Sequence, residues 1–408
     1  LRWLAFAMLA VMALQLLPLP SGVWTHLPGR EVIARNFALI GRDAPWLALS
    51  LDPEASLRAL LALLPPLAVM AATLVASARG RVLAMGAVVG MALASLAVGV
   101  AQILSGGAEA TYPYAITNLG SAVGLFANRN HLATLMIEAL PAAAALAATG
   151  AAVIPGWIGA RGWIVACVPL ALGPLLTGSV AGAALLVPAL AGSAGILLAL
   201  VPAARRANWR RALIAACAMI AVAGGTWAAV QIMHPAAVPA SVAEQHRPFL
   251  VATTLRAARD NLPFGTGGGS FPSVYPAYQQ PSGVSPEYAN HAHSDYAEVL
   301  LDYGLPGALI VIAVFGWWLW RVRALWIAAD ASGSDASDAV DPLARAGVVM
   351  VGLVLAHSVV DYPLRTAAIA TVTAFAAALA ARPVTQVASR RARQVHRDSI
   401  KDSIKVKL

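Results

Sequence analysis

An all-α integral membrane protein, a polytopic bundle of about ten spanning helices with one large polar insertion, is the fold this sequence predicts. Three observations predict it. Hydrophobic residues make up 59% of the 408 and charged residues only 12%, where a soluble domain carries roughly a quarter charged. The apolar residues fall in runs of about 20, the length a helix needs to cross the hydrocarbon core. The basic residues gather in alternate links between those runs, as the positive-inside rule requires.

The first run covers residues 1–20, too uniform and without the small-residue cleavage site of a signal peptide. The chain opens on Leu1 rather than Met, which leaves room for helices upstream. Residues 21–56 are mixed and proline-punctuated, with Trp24 and Trp46 placed as interfacial anchors. Runs at 57–78 and 82–104 are joined by the basic turn Arg79-Gly80-Arg81. Polar residues 105–130 lead into a span at 131–150, where Glu138 is an acid at membrane depth that needs a partner. Residues 162–204 hold no charge at all and are too long for one crossing, so two spans are expected, broken at Thr177-Gly178-Ser179. Further spans follow at 212–233, 299–320, 346–360 and 366–381. The expected divisions are 1–233 (about seven spans), a polar loop 234–298, three spans in 299–381 and a basic tail 382–408.

Charge fixes the expected orientation. The formal charge is +9 with pI ≈ 10.1, and residues 382–408, with eight Lys/Arg and two Asp, supply +6 of it. That excess reads as a cytoplasmic tail at a membrane surface rather than a nucleic-acid groove. Counted alternately, the links at 79–81, 161, 205–211 and 321–323 fall on the same side as the tail. The polar segments 21–56, 105–130, 177–180, 234–298 and 361–365 then face the periplasm or cell exterior. Cys167 and Cys217 lie in apolar runs without motif spacing and read as helix packing.

The outward segments gather Arg129, His131, Arg247, Arg256, Arg259, His291, His293, His357, Asp361 and Arg365. A guanidinium is a permanent charge with a planar fork of donors suited to phosphate oxygens, so the set points to a diphosphate or another anionic ligand; for any one of them, snorkelling to headgroups is the plainer reading. His291-Ala-His293 with Asp295 and Glu298 lacks a third spaced histidine or cysteine, so no metal site is expected; a histidine that assists a hydroxyl is the alternative. GTGGGSFP either brings backbone amides to a phosphate or makes a plain turn.

HAHSDYAEVLLDYGLPG resembles the signature of the O-antigen ligase and O-antigen polymerase superfamily. LFANRNHLATLMIEALP, RPFLVATTLRAARDNLPFGTGGGSF and HSVVDYPLRTAA are similar to further segments of it, in the same order, over about residues 110–375. The resemblance implies metal-independent, cofactor-free, inverting transfer of a glycan from a polyprenyl-diphosphate carrier to a lipid or glycan acceptor, at the periplasmic face of the bacterial inner membrane. It implies His293 as the catalytic residue and Arg247 as a diphosphate ligand, with Arg129, Arg256 and Arg365 as further candidates and His291, Asp295 and Asp361 in support. One departure stands out: in LLTGSVAGAALL, Val180 occupies the place of a family arginine, for which Arg129 is the expected substitute. A polymerase shares the donor chemistry and differs in acceptor. A multi-span transporter is the alternative of another class, against which stand the lack of internal repeats and the gathering of polar groups at one face.

Overall fold

The structure is a computed structural model and describes residues 1–150, 159–198, 242–279, 289–327 and 341–382, the side chains of 242–246 excepted. The described chain is mostly helical, with one two-residue strand pair, Pro18↔Ala48 and Leu19↔Leu47, antiparallel. The helices are α1 Arg2–Gln15, α2 Ser21–Trp24, α3 Glu31–Leu39, α4 Pro53–Ala62, α5 Leu64–Val75, α6 Ala78–Leu104, α7 Arg129–Thr149, α8 Ala160–Leu176, α9 Val180–Leu197, α10 Val242–Asp260, α11 Phe271–Tyr278, α12 Asp295–Val322, α13 Pro342–His357 and α14 Ala367–Ala380.

Five helical stretches among the described residues are long and apolar enough to cross a membrane: Pro53–Val75, Ala78–Leu104, Arg129–Thr149, Val180–Leu197 and Asp295–Trp326. Four shorter apolar helices, α1, α8, α13 and α14, stand where the sequence placed other spans. The run at 212–233 lies outside the described residues. The protein is therefore a helical membrane protein, with five candidate spans by length and composition among the described residues.

The chain forms two compact units. One contains residues 70–226, 318–353 and 372–408. Its centre is α7, buried from Arg129 to Ala147, as expected of a helix apolar all round rather than along one stripe. Glu138, fully buried within it, accepts a hydrogen bond from the Thr373 hydroxyl at 3.3 Å. The polar segment before α7 is tied to α6 by Gln102, which accepts from the amides of Val123 and Gly124 and donates to the carbonyl of Gly124. The expected break between α8 and α9 is present: α8 ends at Leu176, and Ser179 caps α9 through the amide of Gly182.

The other unit, within residues 1–69, 227–317 and 354–371, carries the polar insertion. The stretch read as a loop, 234–298, proves to hold two helices, α10 and α11. Pro248 early in α10 and Pro276 in α11 masked this in the sequence, because proline ordinarily ends a helix. Trp24 is also not an interfacial anchor. It is buried and donates its indole N–H to the carbonyl of Pro45 at 2.8 Å, whereas Trp46 is exposed.

The glycine run joins this unit's pieces. Leu51 donates its amide to the carbonyl of Thr266, the amides of Thr266 and Gly267 go to the carbonyls of Leu301 and Asp302, and Gly268 donates to Oε1 of Gln15 at the end of α1. The Gln15 amide nitrogen in turn donates to the carbonyl of Asp302 at 2.7 Å. Gly267 sits at φ +105, and a Cβ there would lie 2.1 Å from Oγ of Ser50, so only glycine fits. Gly304 breaks α12 in the same way, with φ +57 and a Cβ position 2.1 Å from the carbonyl oxygen of Pro263.

Candidate active site at the head of α12

The site lies wholly in the unit that carries the insertion. Three segments build it: α10, the strap 289–294 that enters α12, and the turn 358–365 that follows α13. Asp295, the first residue of α12, fastens strap and turn together. Its amide donates to the carbonyls of Ser358 and Asp361, and its Oδ2 accepts from the Ser358 hydroxyl at 2.8 Å and the Leu364 amide at 3.2 Å. The Ser294 hydroxyl, 3.4 Å from the same Ser358 carbonyl, lies over the join.

The strap presents its two histidines differently. His291 places Nδ1 2.9 Å from Oε1 of Glu298, whose other oxygen accepts the amide of Ala292. His293 has φ +54 and is the one non-glycine residue with positive φ among the described residues. That left-handed conformation costs a side chain on the order of 1–3 kcal/mol and persists only where its surroundings enforce it. The conformation turns His293 to a cleft of about 460 Å³ lined by Arg247, Pro248, Val251, Ala252, Leu255, His293, Val359 and Val360. Tyr362 lies against both imidazoles, with ring centroids 4.4 Å from His291 and 5.0 Å from His293.

Asp361, completely buried, sits behind the cleft. Its Oδ1 is 3.6 Å from Nδ1 of His293 and its Oδ2 is 3.8 Å from Nη2 of Arg247. Arg247 also reaches the carbonyl of Val360 at 3.4 Å. One carboxylate thus stands beside both the histidine and the arginine that line the cleft. The cleft wall is otherwise apolar, from α10 and from Val359 and Val360.

The remaining predicted residues are placed as follows. Arg256 is on α10, nine residues beyond Arg247, off the cleft and bonded to the Thr253 hydroxyl at 2.9 Å. Burial raises the pKa of neighbouring Tyr275, and the charge of Arg256 works against that rise. Arg365 is paired away from the cleft. It turns to α12, with Nη1 2.9 Å from Asp302 and 3.5 Å from Glu298 and Nε 3.6 Å from Asp295. Burial disfavours its charge, but Glu298 and Asp302 more than offset this and hold its pKa above the ordinary arginine value. Arg129 belongs to the other unit, at the buried head of α7, with Nη1 3.6 Å from the Cβ position of Gly178 in the α8–α9 turn. Val180 begins α9 two residues further on and is partly exposed.

The site also takes in Tyr362, Ser358 and Gln15, with Glu298 and Asp302 of the polar stretch beside them. The spacing of Asp295, Glu298 and Asp302 was a signal, since residues three, four and seven apart share a helix face. Nothing in the sequence points to Tyr362 or Gln15. The amides of Thr266, Gly267, Gly268 and Gly269 all have protein acceptors, so the glycine run is a structural turn. Among the described residues no three His, Cys, Asp or Glu side chains converge as a metal-holding group.

A family model described as O-antigen ligase matches residues 165–312. The match takes in Arg247, Arg256, His291, His293 and Asp295, and it ends before Asp361 and Arg365. No curated protein and no solved structure matches the chain.

Proposed function

Since the chain is a member of the O-antigen ligase superfamily by residues 165–312, we propose that it transfers a glycan from a polyprenyl-diphosphate carrier to an acceptor hydroxyl. The reaction takes place at the periplasmic face of a bacterial inner membrane, in a bundle of about ten spans. The observation that carries this reading is the shared cleft of Arg247 and His293, with Asp361 against both.

The chemistry follows from the geometry. With Nδ1 of His293 turned to Asp361, Nε2 is left for the substrate and can take the proton of an attacking hydroxyl. The acceptor oxygen attacks the anomeric carbon and gives its proton to His293. The bond from that carbon to the diphosphate oxygen breaks, and its electron pair leaves on the diphosphate. Arg247 stands where that charge develops, the placement that lowers a barrier most. Displacement on the face opposite the leaving group inverts the anomeric centre. The apolar wall of Pro248, Val251, Leu255, Val359 and Val360 suits the hydrocarbon end of such a donor.

A ligase and a polymerase share this donor chemistry and separate at the acceptor, and we assign the ligase reaction. Deleting the gene is expected to leave finished polymer on its carrier. Accumulation of single repeat units would instead assign polymerisation, and an unchanged glycan profile would overturn the transfer reading.

A further inference from the structure

The four groups Arg365, Asp295, Glu298 and Asp302 form a nest that the reaction above does not use. The three carboxylates lie on one face of α12 and are 3%, 1% and 0% exposed. One guanidinium serves all three, at 2.9 to 3.6 Å. Its Nη2 has no acceptor and is closed to solvent, and Arg365 is absent from the cleft wall that Arg247 lines.

Electrostatics decides what such an arginine can do. With every group ionised, the nest holds two negative charges in excess, so a diphosphate brought to it meets repulsion. Like charges this close, away from bulk water, repel strongly. Removing the guanidinium would leave three buried carboxylates without the counter-charge it supplies, and breaking a buried pair is strongly destabilising. The part of the fold that would give way is also visible. Arg365 closes the turn 358–365, which presents Asp361 and Tyr362 to His293, and the same turn is bonded to Asp295 through Ser358 and Leu364.

We propose that Arg365 is a positioning residue: its pairing with Asp302, Glu298 and Asp295 clamps the turn bearing Asp361 and Tyr362 onto α12, holding His293 in place without touching the donor. This rests on the glycan-transfer reading, with Arg247 as the group that meets the diphosphate.

The test compares Arg365→Met, Arg365→Lys, Arg247→Ala and the double variant Arg365→Met with Asp302→Asn, each as the full chain purified in detergent. Three quantities are read: kcat and KM for the lipid-linked donor, affinity for inorganic pyrophosphate, and the melting temperature. Arg365→Met should lower kcat about tenfold or more while KM and pyrophosphate affinity stay within about twofold of wild type, the pattern of a lost arrangement rather than lost binding. Arg365→Lys should keep part of the rate. Arg247→Ala should raise KM and weaken pyrophosphate binding. Adding Asp302→Asn to Arg365→Met should restore part of both kcat and melting temperature, because the excess buried charge falls.

The proposal is overturned if Arg365→Met loses pyrophosphate affinity as Arg247→Ala does, or if Asp302→Asn restores nothing. Should the wild-type protein transfer no glycan from any lipid-linked donor, the transfer reading fails on its own. Recovery of the melting temperature by Asp302→Asn, or its absence, then supports or overturns the clamp separately.

Discussion

At the scale of single residues, His293 and His291 are placed differently, one on the cleft and one against Glu298. His293→Ala is expected to abolish transfer while the protein still inserts and accumulates; wild-type rates in a reconstituted assay would remove His293 from the chemistry. His291, bonded to Glu298 rather than lining the cleft, should on change to Ala retain measurable transfer, a loss of about tenfold where His293→Ala gives none. Arg129 lies beside the turn that leads to Val180, so Val180→Arg is expected to restore part of the activity lost in Arg129→Ala; no recovery would show that the two positions do not substitute for each other. His293 and Arg247 could be found from the sequence because motifs surround them. The approach of Asp361 to His293 could not, since 68 residues of chain separate them. Arg365 meets Asp295, Glu298 and Asp302 rather than Asp361, although only four residues separate it from Asp361. Side chains four apart meet on a helix, and α13 has already ended at His357.

At the scale of elements, the glycine run and the end of α1 form one joint. Gln15, 2% exposed, bonds to Phe264, Gly268 and Asp302, so it ties the first helix of the chain to the base of the site. Gln15→Leu removes these bonds and takes from the Phe264 carbonyl and the Gly268 amide the partner that Gln15 supplies, at about 1–3 kcal/mol each, while the Asp302 carbonyl keeps the Gly267 amide. A fall in melting temperature and in transfer rate together is expected, and a variant with unchanged melting would show the joint to be dispensable. Apolar run length and Gly/Pro punctuation made the spanning helices legible in advance. They did not reveal α10 and α11, where tertiary packing of Leu250, Ala257, Ala258, Phe271 and Tyr275 overrides the prolines.

At the scale of the whole molecule, the membrane fold was legible because composition decides it, while residues far apart in sequence had to be brought together before the site could be seen. Activity is expected to survive EDTA: Asp361 stands against His293 and Arg247, and the carboxylates of α12 are engaged by Arg365, His291 and backbone amides, which leaves a divalent cation few oxygens to take. Loss of transfer restored by an added metal would reverse this expectation. The break at Gly304 carries a consequence for the lipid around the protein. Every carboxylate of α12 lies before it, and residues 305–322 after it, eighteen in number, make a rod of about 27 Å, close to the thickness of the hydrocarbon layer. A rod hinged at its top can lean to match a thinner or thicker bilayer without dragging the hydrogen-bonded segment that holds His293. Transfer in vesicles of short-chain and long-chain lipids should therefore run at similar rates, and a rate that falls steeply with acyl-chain length would show that the lean of the rod reaches the site.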